Sequence, residues 1–183
     1  MDPQLVIRAQ GGDEVAFALI TNAVNARFKQ VAYRILRDRH LAEDAMQQAL
    51  VEIWRKLPTL RDPERFDGWS YRFLVHACYR EAKRYRDSYR ELPGETNIAS
   101  ADGTAAVNDR DQLERGFRRL SLDHRAVVVM HYFLDLSIED TAASLGISVG
   151  TAKSRLNRAM ARLRVALRPD LVSGSRPERD RVA

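Results

Sequence analysis

Two stretches of this sequence carry residue types suited to one kind of chemistry, the holding of an anionic polymer. Between positions 65 and 90, Phe66, Trp69, Tyr71, Phe73, Tyr79, Tyr85 and Tyr89 are interleaved with Arg65, Arg72, Arg80, Lys83, Arg84, Arg86 and Arg90. Aromatic faces stack on unpaired bases while cations follow a phosphate backbone, so this composition suits single-stranded nucleic acid. The plain alternative is that most of the aromatics are core, with basic side chains snorkelling around them. Some of each is expected: Phe73 belongs in the core, whereas Phe66 and Trp69 fit either role. The second stretch runs from Ser148 to Arg168. It holds Lys153, Arg155, Arg158, Arg162, Arg164 and Arg168 and no acid. Ser148, Gly150, Thr151 and Ser154 are small or polar and would let a backbone approach a duplex. Lys153, Arg155 and Arg158 would then reach base edges or phosphates.

Other chemistries find less support. Glu43 and Asp44 are sequence neighbours that do not face each other across a cleft, and no Gly-rich phosphate loop or nucleophile motif accompanies them. His40, His76, His124 and His131 follow no metal-ligand spacing, and Cys78 is the single cysteine, which excludes an internal disulfide. No enzyme activity and no cofactor are expected. The net charge of +5 and the pI of about 9.6 favour an anionic partner, nucleic acid or acidic membrane surface alike. The first twenty residues lack the apolar core of a signal peptide, and the densest apolar run, Ala126 to Met130, is too short to span a bilayer. A cytoplasmic chain without membrane insertion is expected.

The elements that must position these residues read as helices throughout. Phe17, Ile20, Val24, Phe28, Val31, Ile35 and Leu36 recur at helical spacing over 14–37, behind a break at Gly11-Gly12-Asp13. Ala42, Ala45, Met46, Ala49, Leu50, Ile53, Trp54 and Leu57 form a second stripe, closed by Pro58. Opposite it lie Glu43, Asp44, Gln47, Gln48, Glu52, Arg55 and Lys56, which alone read as an ordinary solvated face. Residues 69–86 make a third long helix. Residues 87–112 lose the apolar period and read as a flexible acidic linker whose edges fray into the flanking helices. Helical spacing returns at Leu113, Phe117 and Leu120. Val127-Val128-Val129 alone would suit a strand, but 122–134 has helix length and nothing else could pair with it. Ser137 and Asp140 fit a capping box, Gly146 stops the helix they open, and Ser148 caps the next. Two helices joined by a short Gly-containing turn form a helix-turn-helix. Residues 169–183 read as a disordered tail. The expected architecture is all-α, with small helical domains at 1–86 and 113–168.

Three motifs in this order resemble the sigma-70 family of RNA polymerase factors, in particular its small extracytoplasmic-function (ECF) group. Leu41-Ala42-Glu43-Asp44-Ala45-Met46-Gln47-Gln48-Ala49 is similar to the family's region 2.2. Phe66-Asp67-Gly68-Trp69-Ser70-Tyr71-Arg72-Phe73-Leu74 is similar to regions 2.3 and 2.4. The stretch from Leu120 to Arg168 is similar to region 4. The resemblance implies that Asp44, Gln47 and Gln48 bind core RNA polymerase. It implies that the segment 61–84, with Arg65, Phe66, Trp69, Arg72, His76, Arg80, Lys83 and Arg84, captures the promoter −10 element. Residues 148–158, with Ser148, Gly150, Thr151, Lys153, Ser154, Arg155 and Arg158, would read the −35 element. Promoter DNA and core polymerase would be the partners, and small members of the family are often held by an anti-sigma factor. Three positions depart from the pattern: His76 stands where the family usually has Asn, Arg80 where it has an acid, and Ala152 where it has Val. The second reading is an operator-binding repressor or activator with a helical sensor domain, which would bind duplex DNA alone as a dimer, whereas a sigma factor needs core polymerase.

Overall fold

The computed structural model describes residues 1–90 and 109–167, and all its regular elements are helical. The first unit holds α1 (Pro3–Gln10), α2 (Glu14–Leu36), α3 (Arg39–Lys56) and α4 (Phe66–Arg90). The second holds α5 (Asp109–Arg118), α6 (Leu122–Val128), α7 (Ile138–Leu145) and α8 (Val149–Ala166). Most of the expected linker and all of the expected tail from Pro169 onward lie outside the described residues.

Local chemistry sets most of the boundaries. Asp13, Asp38, Ser137 and Ser148 each stand at an N-cap and accept from a backbone N–H of the first turn, each contact being worth about 1 kcal/mol. The apolar stripe did not announce α1, but Asp2 caps it and Pro3 opens it. Gln10 then donates to the carbonyls of Leu57 and Leu60 and ties α1 to the turn after α3. That turn contains Pro58, where the second stripe was expected to close. Helix α4 continues to Arg90, past the expected boundary at 86, and α5 begins at Asp109, before 113. The extension of α4 has a cause in the residues: the first strong breakers after 86 are Pro93 and Gly94. The valine run 127–129 is helical, and Val129–Phe133 widens into a single π-helical turn.

The first unit is built on a close seam. Ala42, Ala45, Met46, Ala49 and Ile53 of α3 and Leu74, Val75, Ala77 and Cys78 of α4 are buried in one core, together with Ile20, Phe28, Val31 and Ile35 of α2. In the second unit, Leu120, Val127, Val128, Ala142, Ala152, Ala159 and Leu163 form a smaller core. Gly116 lets α5 approach α8: a Cβ there would lie 3.1 Å from a Leu163 methyl. The two units are docked, since Ala126, Val129, Met130 and Leu134 belong to the core of the first.

Positions Ile53 and Val51 of α3 separate core from surface. Ile53 is fully buried and Val51 half exposed. Ile53→Ala should lower unfolding free energy by about 2–5 kcal/mol, and Val51→Ala should move it by less than about 0.5 kcal/mol, read by chemical denaturation.

Candidate nucleic-acid interface

Docking α4 against α3 decides which of its residues meet solvent. Arg72, His76, Arg80, Lys83 and Arg84 project outward, the first three at helical intervals of four. With Phe73, Tyr79 and Glu52 of α3, Arg72, His76, Arg80 and Lys83 line an open cavity of about 350 Å³. Its floor is aromatic and its rim cationic, the composition that accepts a stacked base and a phosphate. Glu52, which sequence reasoning left on a solvated face, pairs with Arg80 at 2.9 Å. Arg80 therefore enters the cavity with a carboxylate beside it. Only the fold shows this, because 28 positions separate the two residues.

The aromatics divide between core and surface. Phe66 is 1% exposed and sits in the core, so it anchors the start of α4 and presents no ring for a base to stack on. Trp69 is half-buried, with Phe66 6.1 Å away and Phe73 4.6 Å away between ring centroids. Phe73 is also half-buried, against the core, where it was expected. Arg65 is exposed at the turn before α4 and pairs with Asp62.

His76 lies between two cations. Desolvation, then Arg72 and Arg80, hold its imidazole below the ordinary value of 6.5. At neutral pH it is an uncharged ring offering one donor and one acceptor. Burial and a hydrogen bond to Asp123 push the Tyr79 phenol far up, so it is always a donor there.

The three residues implicated on α3 are not equivalent. Asp44 and Gln47 are exposed. Gln48 is partly buried and donates to Glu81, a carboxylate of α4 that is 2% exposed. Gln48 therefore holds α4 in register on α3, and Arg84 approaches the same carboxylate at 3.4 Å.

In the second unit, Ser137 and Ser148 cap consecutive helices. Gly146 between them has φ 66°, a left-handed conformation that suits glycine and turns the chain from α7 into α8. Val149, Leu156 and Met160 pack toward the inside, and Ala152 is fully buried. On the outside, Ser148, Gly150, Lys153 and Arg158 are exposed. Nothing but the Ser148 hydroxyl, 3.9 Å away, would meet a Cβ at Gly150, so its smallness leaves room for an approaching molecule. Thr151 and Ser154 are partly covered: the Thr151 hydroxyl meets that of Ser148 at 2.9 Å, and Ser154 donates to the Thr151 carbonyl. Arg155 is turned aside, at 3.0 Å from Asp123. Among the described residues no cluster of His, Cys, Asp or Glu could hold a metal, and no helix is long and apolar enough to cross a membrane.

An all-helical protein with a basic aromatic helix in one unit and a helix-turn-helix in the other belongs to the class of DNA-binding transcription proteins. Residues 22–88 match the family model for sigma-70 region 2, and residues 110–163 match that for sigma-70, region 4. The chain is 32% identical over 162 residues to the ECF RNA polymerase sigma factor SigM of Mycobacterium tuberculosis, covering 88% of this chain and 82% of that one. It is 36% identical over 158 residues to the RNA polymerase sigma-E factor of Streptomyces coelicolor, covering 83% and 88%. Among solved structures it resembles CnrH in complex with the cytosolic domain of CnrY, with TM-score 0.64, 26% identity and coverage of 92% of this chain and 98% of that one. The chain belongs to the sigma-70 family, as an RNA polymerase sigma factor of the ECF group.

Two outcomes follow from this geometry. Gln48→Ala removes a partner of the buried Glu81 carboxylate and should cost about 1–3 kcal/mol of stability, whereas Asp44→Ala and Gln47→Ala should leave the unfolding midpoint in place. His124 is 8% exposed, and desolvation followed by Arg162 lowers its pKa from 6.5. The unfolded chain takes up this proton near pH 6.5 and the folded chain only at lower pH, so stability present above 6.5 is lost as pH falls through the lowered folded value. Thermal midpoints between pH 7.5 and 5.5 should decline more steeply for the wild type than for His124→Gln.

Proposed function

We propose that this protein docks on core RNA polymerase through Asp44 and Gln47, with Gln48 supporting them, and reads a promoter with two separate faces. The exposed side of α4 captures the melted −10 strand, with His76 and Arg80 setting the base preferred there. The start of α8 enters the major groove at the −35 element, led by Lys153 and Arg158 over an open Gly150. The observation that carries this reading is the pairing of exposed Lys153 and Arg158 beside an open Gly150, on a capped helix-turn-helix, with a cavity lined by aromatic and cationic side chains. The protein performs no bond chemistry itself and needs no cofactor; the polymerase makes the transcript, and both work in the cytoplasm. Family membership brings one further class of partner, an anti-sigma factor.

Glu52 refines the −10 reading. Its carboxylate neutralises Arg80 and directs the guanidinium along the cavity wall. Removing that charge frees Arg80 to seek phosphate or a guanine edge.

The test is transcription by reconstituted holoenzyme on a library of randomised −10 sequences. His76→Asn and Glu52→Gln should each shift the selected −10 consensus and leave the −35 consensus alone. Arg158→Ala should do the converse, with a loss of roughly 1–3 kcal/mol if it reads a base, or a salt slope smaller by about 0.9 if it meets phosphate. A chain that does not associate with core polymerase and selects no promoter from the library would refute the proposal.

A further inference from the structure

We propose that Glu81 is a positioning residue for strand capture: its buried carboxylate holds Arg84 at the edge of the α4 face, and Gln48 is the second partner that lets the arginine leave for a phosphate. The inference rests on reading the exposed side of α4 as the face that binds the −10 strand.

Glu81 follows Ala77 and Cys78 by one helical turn, on the side of α4 that those two buried residues press against α3. It is 2% exposed. A carboxylate taken out of water needs partners, and removing one of them is costly. Two are at hand, and both meet the same oxygen, Oε1. The Gln48 amide donates to it from α3, and the Arg84 guanidinium, one turn along α4, stands 3.4 Å away. The two partners differ in kind. Gln48 is partly buried in the seam. Arg84 has a side chain 69% exposed, at a separation too long for a strong hydrogen bond. An ion pair reaching so far into solvent is weakly held.

A phosphate on an approaching strand competes with Oε1 for the same guanidinium. If Arg84 were the sole partner of Glu81, each capture would strand a buried carboxylate, and strand affinity would fall by that cost. With Gln48 in place the carboxylate keeps a donor after Arg84 has gone. The release of Arg84 therefore depends on a side chain of α3 that touches no DNA. Opposite effects follow from the two partners. Glu81→Gln keeps an acceptor for Gln48 and removes the charge that detains Arg84, so strand binding tightens. Gln48→Ala leaves Glu81 with Arg84 alone, so strand binding weakens. A merely structural role for Glu81 would weaken it in both variants.

The experiment measures binding of reconstituted holoenzyme to a fluorescent single strand carrying the −10 sequence that the wild type selects, across a salt series. Core polymerase is kept saturating, and the signal of core alone is subtracted, so that changes in polymerase affinity do not enter. Glu81→Gln should tighten binding by roughly two- to fivefold, the scale of one exposed ion pair. Its salt slope should steepen by about 0.7, one further phosphate contact on a single strand. Gln48→Ala should weaken binding by a similar factor, and both effects should vanish in an Arg84→Ala background. Glu14→Gln, an exposed acid at the start of α2, changes the net charge equally and should leave affinity within about 1.5-fold. Affinity and slope in Glu81→Gln equal to those of Glu14→Gln, weaker binding in both Glu81→Gln and Gln48→Ala, or effects that persist in Arg84→Ala overturn the proposal. If Glu81→Gln does not fold, Gln48→Ala and Arg84→Ala decide the matter, and additive losses from the two overturn it. A wild-type holoenzyme that selects no −10 sequence would instead sink the assignment of the α4 face, a result separable from the first.

Discussion

The rest of the molecule depends on the seam between α3 and α4. Small side chains line it, with Ala42, Ala45 and Ala49 on one helix and Ala77 and Cys78 on the other, all buried. Small residues let two helix axes approach closely, and close-packed interiors leave little freedom to rotate one helix against the other. Glu81 adds a polar constraint: it is buried, and Gln48 from α3 satisfies it. A rotation of α4 by one residue would strand that carboxylate without its amide. With the rotation fixed, Arg72, His76 and Arg80 must face outward together.

The second unit solves a related problem with less core. Its recognition helix must expose its first turns to a partner while burying Ala152, Ala159 and Leu163 beneath. Ala152 is fully buried, and the smaller residue at this position of the family pattern is accommodated without loss of enclosure. Caps at Ser137 and Ser148 and the left-handed Gly146 fix the angle between α7 and α8 by local geometry. Rigidity of the turn matters here, because a helix that reads base edges has to arrive in one orientation.

The histidines show how similar residues acquire different surroundings. His76 is an exposed ring between Arg72 and Arg80, whereas His124 is enclosed beside Arg162. Desolvation and nearby cations hold both imidazoles below the ordinary value of 6.5. In the first case this preserves a neutral hydrogen-bonding edge in the −10 cavity. In the second it avoids placing another positive charge beneath a basic helix.

The sequence by itself determined the helical class, the caps, the helix-turn-helix and the order of the three motifs. These depend on contacts within a few residues of one another: a 3.6-residue period, a serine three positions before its amide, a glycine where the backbone turns left-handed. Tertiary structure alone decided the division of labour inside those elements. Phe66 and Trp69 have similar local surroundings in the sequence, yet one is enclosed and the other half-open, because burial depends on which helices cross above them. Gln48 was indistinguishable from Gln47 until α4 was laid against α3. The pairing of Glu52 with Arg80, and of Asp123 with both Tyr79 and Arg155, joins residues 28 to 44 positions apart. Such contacts arise from the packing of whole helices, and no local period or cap encodes them.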